Sequence, residues 1–353
     1  MASQLPTLKH RNKACRDNYL RAIEFRDPEW IPCEMYFFPI LWKKYRDALA
    51  RLLERHPFIF GKNPGIPGDF DAMPKDHQPD YTHTDEWGVT WKSGPAGGFI
   101  GLPVGNPLAD WKALDTYAFP RLGYQAWLAG RVRNWFVKRA NQVAGAGADG
   151  LYDRLYFLRG FENLMRDMVT GDPHLPVLLQ RFQDHQVAQV RNILRHKPDQ
   201  VGFHTDIGGQ DRLLLSPRLF RKYIKPVFSA IFQPIRQAGA HVYLHSDGHL
   251  LEIVDDLVEC GVSVHDPQER ANTIEGIEKH YKGKLCIDLD FDRQAIPFSS
   301  PEELDRRVKH AIDTLNAPEG GFMIKAEIAD RNIPLENIEA ICNAFEHYCV
   351  PRC

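Results

Sequence analysis

The chain has 353 residues, 44 Lys and Arg against 46 Asp and Glu, and a formal net charge of −2. That length suits one large domain or two modest ones, and charge so evenly interspersed offers neither a nucleic-acid groove nor a basic membrane face. No apolar run approaches the roughly 20 residues that span a bilayer, and Met1–Lys13 has basic residues but no apolar centre, so it does not read as a secretory signal. The expectation is a soluble, cytoplasmic protein with no nucleic-acid or membrane partner. Seven cysteines stand singly, without a CxxC pair. An odd count in such a chain points to reduced thiols that act as small apolar fillers, not to a disulfide framework or a four-cysteine zinc site.

In chain order, Arg16–Phe25 reads as helix, Trp30–Phe38 as a buried strand and Leu41–Arg55 as helix again. Between about residues 57 and 122 prolines, glycines and aromatics crowd together, Asp85-Glu-Trp-Gly-Val-Thr-Trp91 among them. Short alternating segments there predict a β-hairpin and loop insertion over one end of the core, a common wall or lid for a site. Strands follow near Gln142–Ala146, Gln200–Asp206, Ala240–His245, Val262–His265, Leu285–Leu289 and Gly321–Ala326. Helical patterns fall between and after them, at Asn163–Val169, Leu178–His196, Pro217–Gln237, Leu250–Glu259, Ile274–His280, Glu302–Leu315 and Leu335–Tyr348. Ser216-Pro217 and Ser300-Pro301 carry N-cap serines followed by proline at the first helical position, and Gly239 and Gly261 stand where helices should stop.

Strands separated by helices imply parallel pairing with crossovers. Seven or eight such units, with no Gly-x-Gly-x-x-Gly turn after a strand, favour a (β/α)8 TIM barrel over a dinucleotide-binding sheet, and a single domain over residues 1–353. On that fold the chemistry belongs just past each strand's C-terminal end. His204, Asp206 and Gln210 follow the Gln200 strand; His245, Asp247 and His249 follow the Ala240 strand; His265 and Asp266 follow Val264. Asp288, Asp290 and Asp292 share one run, and the last strand ends in Lys325 and Glu327. Each has a plainer reading: Asp206 before two glycines and Asp247-Gly248 are good turn residues, and His249 can start the next helix. His245 shares its turn with two more polar side chains, which favours function. Imidazole and carboxylates converging from several strands suit a divalent metal, zinc above all.

Several separated motifs then resemble one family. Asp206–Phe220 with Leu215-Ser-Pro-Arg-Leu-Phe220, Leu158-Arg-Gly-Phe-Glu-Asn-Leu-Met165, Pro103–Asp110 running into Trp111, and Ile333-Pro-Leu-Glu-Asn-Ile338 are similar to segments of the uroporphyrinogen decarboxylase superfamily. The resemblance covers nearly the whole chain and implies a (β/α)8 barrel with a deep cleft at the strand C-termini, often as a homodimer. True decarboxylases of the family resemble one another in an arginine-rich N-terminal loop that holds substrate carboxylates. Here Glu34–Tyr45 stands in that place without an arginine, so a polycarboxylate tetrapyrrole would lack its bidentate donors.

The other branch comprises corrinoid-linked methyltransferases, with a His-x-Cys turn and a further Cys binding zinc. His245 matches the His, Asp247 stands at the first Cys, and Glu327 lies near the last. The resemblance therefore implies a zinc or other divalent site on His245, Asp247 and Glu327, harder than its thiolate counterpart and suited to polarising the heteroatom of a small methylated or methoxylated substrate. Asp206, His245 and Asp247 stand as the catalytic residues, with His204, Gln210, Arg154, Asp288 and Lys325 as candidate substrate contacts and Trp87, Trp91 and Trp111 as an apolar wall. No corrinoid-binding Asp-x-His-x-x-Gly motif is present, so the corrinoid would come in trans on a separate protein. Three alternatives stay open: a site without metal, in which Asp206, His245 and Glu327 perform acid–base chemistry or orient a substrate; a decarboxylase or lyase of a small carboxylate using Asp206 with Arg154 or Lys325; and a non-catalytic barrel that only binds a tetrapyrrole or corrinoid. Whether Arg159 and Glu162 line the cleft or brace the barrel also stays open.

Overall fold

A computed structural model describes residues 15–97, 101–122 and 127–350; Met1–Lys13 and Cys353, read above from sequence, lie outside them. Ten strands occur among the described residues: β1 (Cys33–Phe37), β2 (Thr82–Thr84), β3 (Thr90–Lys92), β4 (Leu102–Gly105), β5 (Gly145–Gly147), β6 (Gln200–His204), β7 (His241–His245), β8 (Val264–His265), β9 (Cys286–Asp290) and β10 (Phe322–Ile328). Helices alternate with strands from β5 onward, which makes the chain α/β. No helix among the described residues is long and apolar enough to cross a membrane.

The chain divides into two compact units. One gathers the residues up to Ala72, Phe136–Val143 and the residues from Ser263; the other holds Met73–Trp135 and Ala144–Val262. In the first unit β1, β10, β9 and β8 pair in that order, all parallel, with Met35 opposite Ala326, Ile324 opposite Leu289 and Val264 opposite Cys286. Every residue of β9 is buried, as expected of a parallel strand covered on both faces. Helices Pro301–Leu315 and Leu335–Tyr348 pack on each other, and Leu304 and Val308 of the first and Ile338 and Phe345 of the second are fully buried. A side chain of that size contributes about 1.5–3 kcal/mol when fully buried.

In the second unit β5, β6 and β7 pair in parallel, with Ala146 opposite Val201 and His204 opposite His245. A separate antiparallel sheet, β2–β3–β4, forms from the Pro/Gly/aromatic stretch. Asp85 closes its first turn: Oδ1 accepts from the amides of Trp87 (3.0 Å) and Val89 (2.9 Å), and Oδ2 accepts from Trp91 Nε1 (3.0 Å). Trp87 and Trp91 are buried, against Phe182 and Phe157 respectively. They belong to the core of this unit, so the apolar wall expected from them is internal packing. Trp111 stacks on His174.

Three local differences from the sequence reading have physical causes. Gln142 takes part only in an isolated bridge to Cys15, and the strand begins at Gly145. The helix expected over Pro217–Gln237 breaks into a turn at Pro217–Leu219, a π segment at Phe220–Ile224 and an α-helix at Lys225–Gln237. Pro226 has no amide hydrogen for the carbonyl four residues back, and a wider turn accommodates the gap. The helix expected from Leu250 starts as a 3-10 turn, Leu251–Ile253, and becomes α only at Val254. The two serine caps form: Ser216 Oγ accepts from the amide of Leu219 and Ser300 Oγ from that of Glu303. The six described cysteines are buried and form no disulfide, and burial raises the thiols of Cys15, Cys33, Cys260 and Cys342, in keeping with inert fillers.

Candidate functional site

The site in the second unit is built by two loops that leave neighbouring parallel strands. β6 and β7 run in register to His204 and His245, and the Thr205 amide still donates to the His245 carbonyl (2.9 Å). Beyond that point the loops cross backbone against backbone. A Cβ on Gly208 would stand 2.5 Å from the amide nitrogen of His249, and one on Gly248 would stand 2.3 Å from the carbonyl carbon of Gly208. Gly248 also has φ +88°, a conformation that L side chains rarely adopt. The Asp-Gly turn is thus a turn and a crossing at once.

Four hydrogen bonds fasten the crossing. The His249 amide donates to the Gly209 carbonyl (2.7 Å), and the Ile207 amide donates to the buried Ser246 hydroxyl (3.0 Å). Ser246 Oγ in turn donates to the Asp247 carbonyl (3.1 Å). The Asp247 amide donates to Asp206 Oδ1 (3.2 Å). Asp206, His245 and Asp247 consequently each present one ligand atom within 4.8 Å of the other two, and His245 Nε2 lies 3.5 Å from Asp247 Oδ1. The His204 ring sits 5.0 Å from that of His245, centroid to centroid. Gln210 is exposed at the tip of the short hairpin between Gly208 and Leu213.

A third element joins the site by a contact that sequence reasoning missed. Thr205 Oγ1, buried beside Asp206, accepts from the amides of Tyr152 (2.8 Å) and Asp153 (3.2 Å), the first two residues of helix Tyr152–Arg159. This is an N-cap supplied from another strand. Burial pushes the Asp153 carboxyl up to about 6; the Arg154 amide resists the rise, and the charge of Asp206 adds to it. Burial also raises the Tyr156 phenol, with Asp153 and Asp206 adding to the effect. The only sequence signal for Asp153 is its position one residue before Arg154.

Arg154 itself is tied to the hairpin: Nη1 donates to Asp85 Oδ2 at 2.7 Å, with the guanidinium 5.1 Å from the Trp87 ring. Arg159 braces. Its Nε donates to Asp167 Oδ2 (2.7 Å), Nη1 to the carbonyls of Leu108 and Ala109, and the group lies 4.1 Å from the Trp111 ring. Glu162 is exposed on the next helix.

The remaining candidates lie in the first unit. Lys325 Nζ donates to Asp266 Oδ2 (2.6 Å) and Glu327 Oε1 (3.2 Å), and Arg293 pairs with Glu327 (2.6 Å) and Asp290 (3.3 Å). Burial would lower Lys325, but Asp266, Asp288, Glu327 and Asp290 outweigh it and hold the ammonium charged. Burial pushes Asp290 up to about 7 in spite of Arg293 and Lys325. Asp288 is fully buried in β9.

Parallel strands alternating with helices, with titratable groups beyond the strand ends, define an enzyme-like α/β protein. Residues 112–348 match the family model of uroporphyrinogen decarboxylase (URO-D), about two thirds of the chain, and the chain belongs to that family. Among solved structures it is similar to a methyltransferase from Methanosarcina mazei, with a TM-score of 0.60 and 14% identity over 95% of this chain and 99% of that one. At that identity the likeness is one of fold. A D-psicose 3-epimerase aligns at a TM-score of 0.37 and 9% identity over 63% of this chain and 83% of that one, too little to carry an argument. No curated protein sequence matches the chain.

Proposed function

We propose that the chain is an enzyme that moves a methyl group between a small methylated compound, methoxylated aromatics included, and a corrinoid carried by a separate protein. The observation that carries the reading is the gathering of Asp206, His245 and Asp247, with ligand atoms within 4.8 Å of one another. One imidazole and two carboxylates fit a divalent cation such as zinc, and three protein ligands leave a coordination position open. Bound there, such an ion would supply Lewis acidity to the substrate heteroatom.

The chain's own residues do the rest. The Asp247 amide and the Gly208–Gly248 crossing hold the donors in place. Asp153, raised to about 6, is a carboxyl that both takes and gives a proton near neutral pH, and His204 stands beside His245 as a second base. The resemblance also assigns Glu327 to the metal. Its carboxylate is already paired with Arg293 and Lys325, and the proposal takes Asp206 instead. The closed (β/α)8 barrel and the homodimer belong to this proposal through the family resemblance, and the single domain over the whole chain and the cytoplasmic location belong to it as expectations from the sequence.

The carboxy-lyase reading is weaker. Its two cations are already answered by carboxylates, Arg154 by Asp85 at 2.7 Å and Lys325 by Asp266 at 2.6 Å. Metal content tests the proposal. Protein purified without chelator should hold about one zinc per chain, lost in His245→Ala and Asp247→Ala with the circular dichroism unchanged. With methoxylated aromatics and cob(I)alamin, the wild type should form methylated corrinoid. Full activity in metal-free protein, or a corrinoid spectral shift without turnover, overturns it.

A further inference from the structure

Helix Pro39–Arg55 is broken at Arg46, which stands at φ 47° and ψ −126°. A residue other than glycine held in that region is strained. Proline and glycine are the usual causes of a break, and the helix has neither after Pro39. Its Leu, Ala, Lys and Arg residues favour an uninterrupted helix. The cause of the break therefore lies outside the helix.

Arg46 reaches across to residues 61–72 of the same unit. Its Nη1 and Nη2 donate to Asp71 Oδ1 and Oδ2 at 3.1 and 3.0 Å, and the guanidinium lies 5.7 Å from the Phe70 ring. Phe70 lies parallel to Trp42, one helical turn before Arg46, at 5.9 Å. Trp42 meets Phe37, the last residue of β1, at 6.1 Å, and Phe60 meets the same ring at 5.9 Å. The segment is thus pinned at both ends beside the C-terminal end of β1. Between the pins it is loosely held. Among the described residues no helix or strand falls between Phe60 and Lys75, and a Cβ on Gly65 or Gly68 would meet nothing within 4 Å. The backbone hydrogen bonds from Ile66 to Pro64 (2.7 Å) and from Ala72 to Asp69 (3.4 Å) are local.

We propose that residues 61–72 form a strap that gates the C-terminal end of β1, latched by Arg46 on Asp71 and Phe70. Closed, the latch holds Arg46 at its positive φ. Open, Arg46 returns to helical angles, the helix runs unbroken from Pro39 to Arg55, and the strap leaves Trp42 and Phe37. The strain at Arg46 opposes the latch, which keeps the two arrangements close in energy. Opening uncovers the end of β1 at which Tyr36 pairs with Glu327 and Phe37 with Ile328, the end where parallel strands of this kind carry chemistry. The latching side chains are each about half exposed, so salt reaches them. The strap lies wholly in the first unit and is independent of the methyl-transfer reading.

Hydrogen exchange of the full chain, read by mass spectrometry with helix Pro301–Leu315 as the internal reference, tests this. In Asp71→Ala the amides of residues 62–72 should exchange about two- to five-fold faster than in wild type. Those of residues 47–50 should exchange more slowly, because the helix closes over the break. Arg46→Lys keeps the charge without the planar fork and should fall between the two. Wild type in about 1 M NaCl, where an exposed pair is screened, should show the same two changes without any substitution. A strap that exchanges in Asp71→Ala as it does in wild type overturns the inference. So does faster exchange of residues 47–50 together with the strap, which would mark plain loosening, and so does wild-type exchange that salt leaves unchanged.

Discussion

Gly248 passes so close to Gly208 that a Cβ on it would stand 2.3 Å from the Gly208 carbonyl carbon. Through this crossing the two aspartates of the site, which belong to loops after different strands, come to share a hydrogen bond from the Asp247 amide to Asp206 Oδ1.

Gly248→Ala should therefore do two kinds of damage. The methyl group clashes with backbone that cannot rotate away, and the residue must hold φ +88°. Together these should cost about 2–4 kcal/mol, read as a lower midpoint in urea unfolding. An unchanged midpoint would show that the loops separate easily and do not fix the site.

Thr205 ties the helix carrying Asp153 to the strand end carrying Asp206. Thr205→Val keeps the shape and removes the acceptor of two helix amides, at a cost of about 1–3 kcal/mol, whereas Thr205→Ser should keep most of the stability. If the valine variant unfolds like wild type, another group satisfies those amides.

Asp290 gives stability a pH dependence of definite sign. Its folded value is raised from 3.8 to about 7, so between about pH 4 and pH 7 the folded state binds the proton and the unfolded state releases it. Stability attributable to this group therefore falls as pH rises through that window and levels off above it. Asp290→Asn should flatten the profile of urea midpoints from pH 4 to 7.5. A variant with the same slope as wild type would show that other groups set it.

Zinc should stabilise the folded chain by mass action. At a free concentration about 100 times the dissociation constant the gain is about 2.7 kcal/mol, seen as a raised melting temperature for wild type and absent in His245→Ala. Equal shifts in the two proteins would place the binding elsewhere.

Asp85 accepts from three groups of its own hairpin and from Arg154. Asp85→Ala leaves a part-buried guanidinium, two amides and the Trp91 indole N–H without that acceptor, at a cost of about 3 kcal/mol or more. The expected readout is a loss of thermal stability large enough to loosen the hairpin to limited proteolysis; resistance equal to wild type would mean the tryptophan packing suffices.

How much of this was legible without coordinates can be argued residue by residue. The strand ending at His245 and the one ending at His204 were readable because apolar runs bounded by polar turns are local signals, and the serine caps at Ser216 and Ser300 were readable for the same reason. His245 and Asp247, two apart on one turn, could be named as neighbours from spacing alone. Asp206 could be grouped with them as a strand-end residue, but its contact with them could not be read, and Asp153 could not be named at all. Asp206 reaches the site through a hydrogen bond across 41 residues and Asp153 through the Thr205 hydroxyl across 52, and no local pattern encodes either. The same holds for Trp87 and Trp91. Composition marks them as an aromatic insertion, but whether an aromatic lines a cleft or fills a core depends on which helices close over it, here those bearing Phe182 and Phe157. By itself the sequence determined the alternation of strands and helices, the family, and the turn on which His245 stands. Only the tertiary structure decided which carboxylates accompany that histidine, because side-chain proximity across dozens of residues is set by strand register and by the two glycines that let the loops cross.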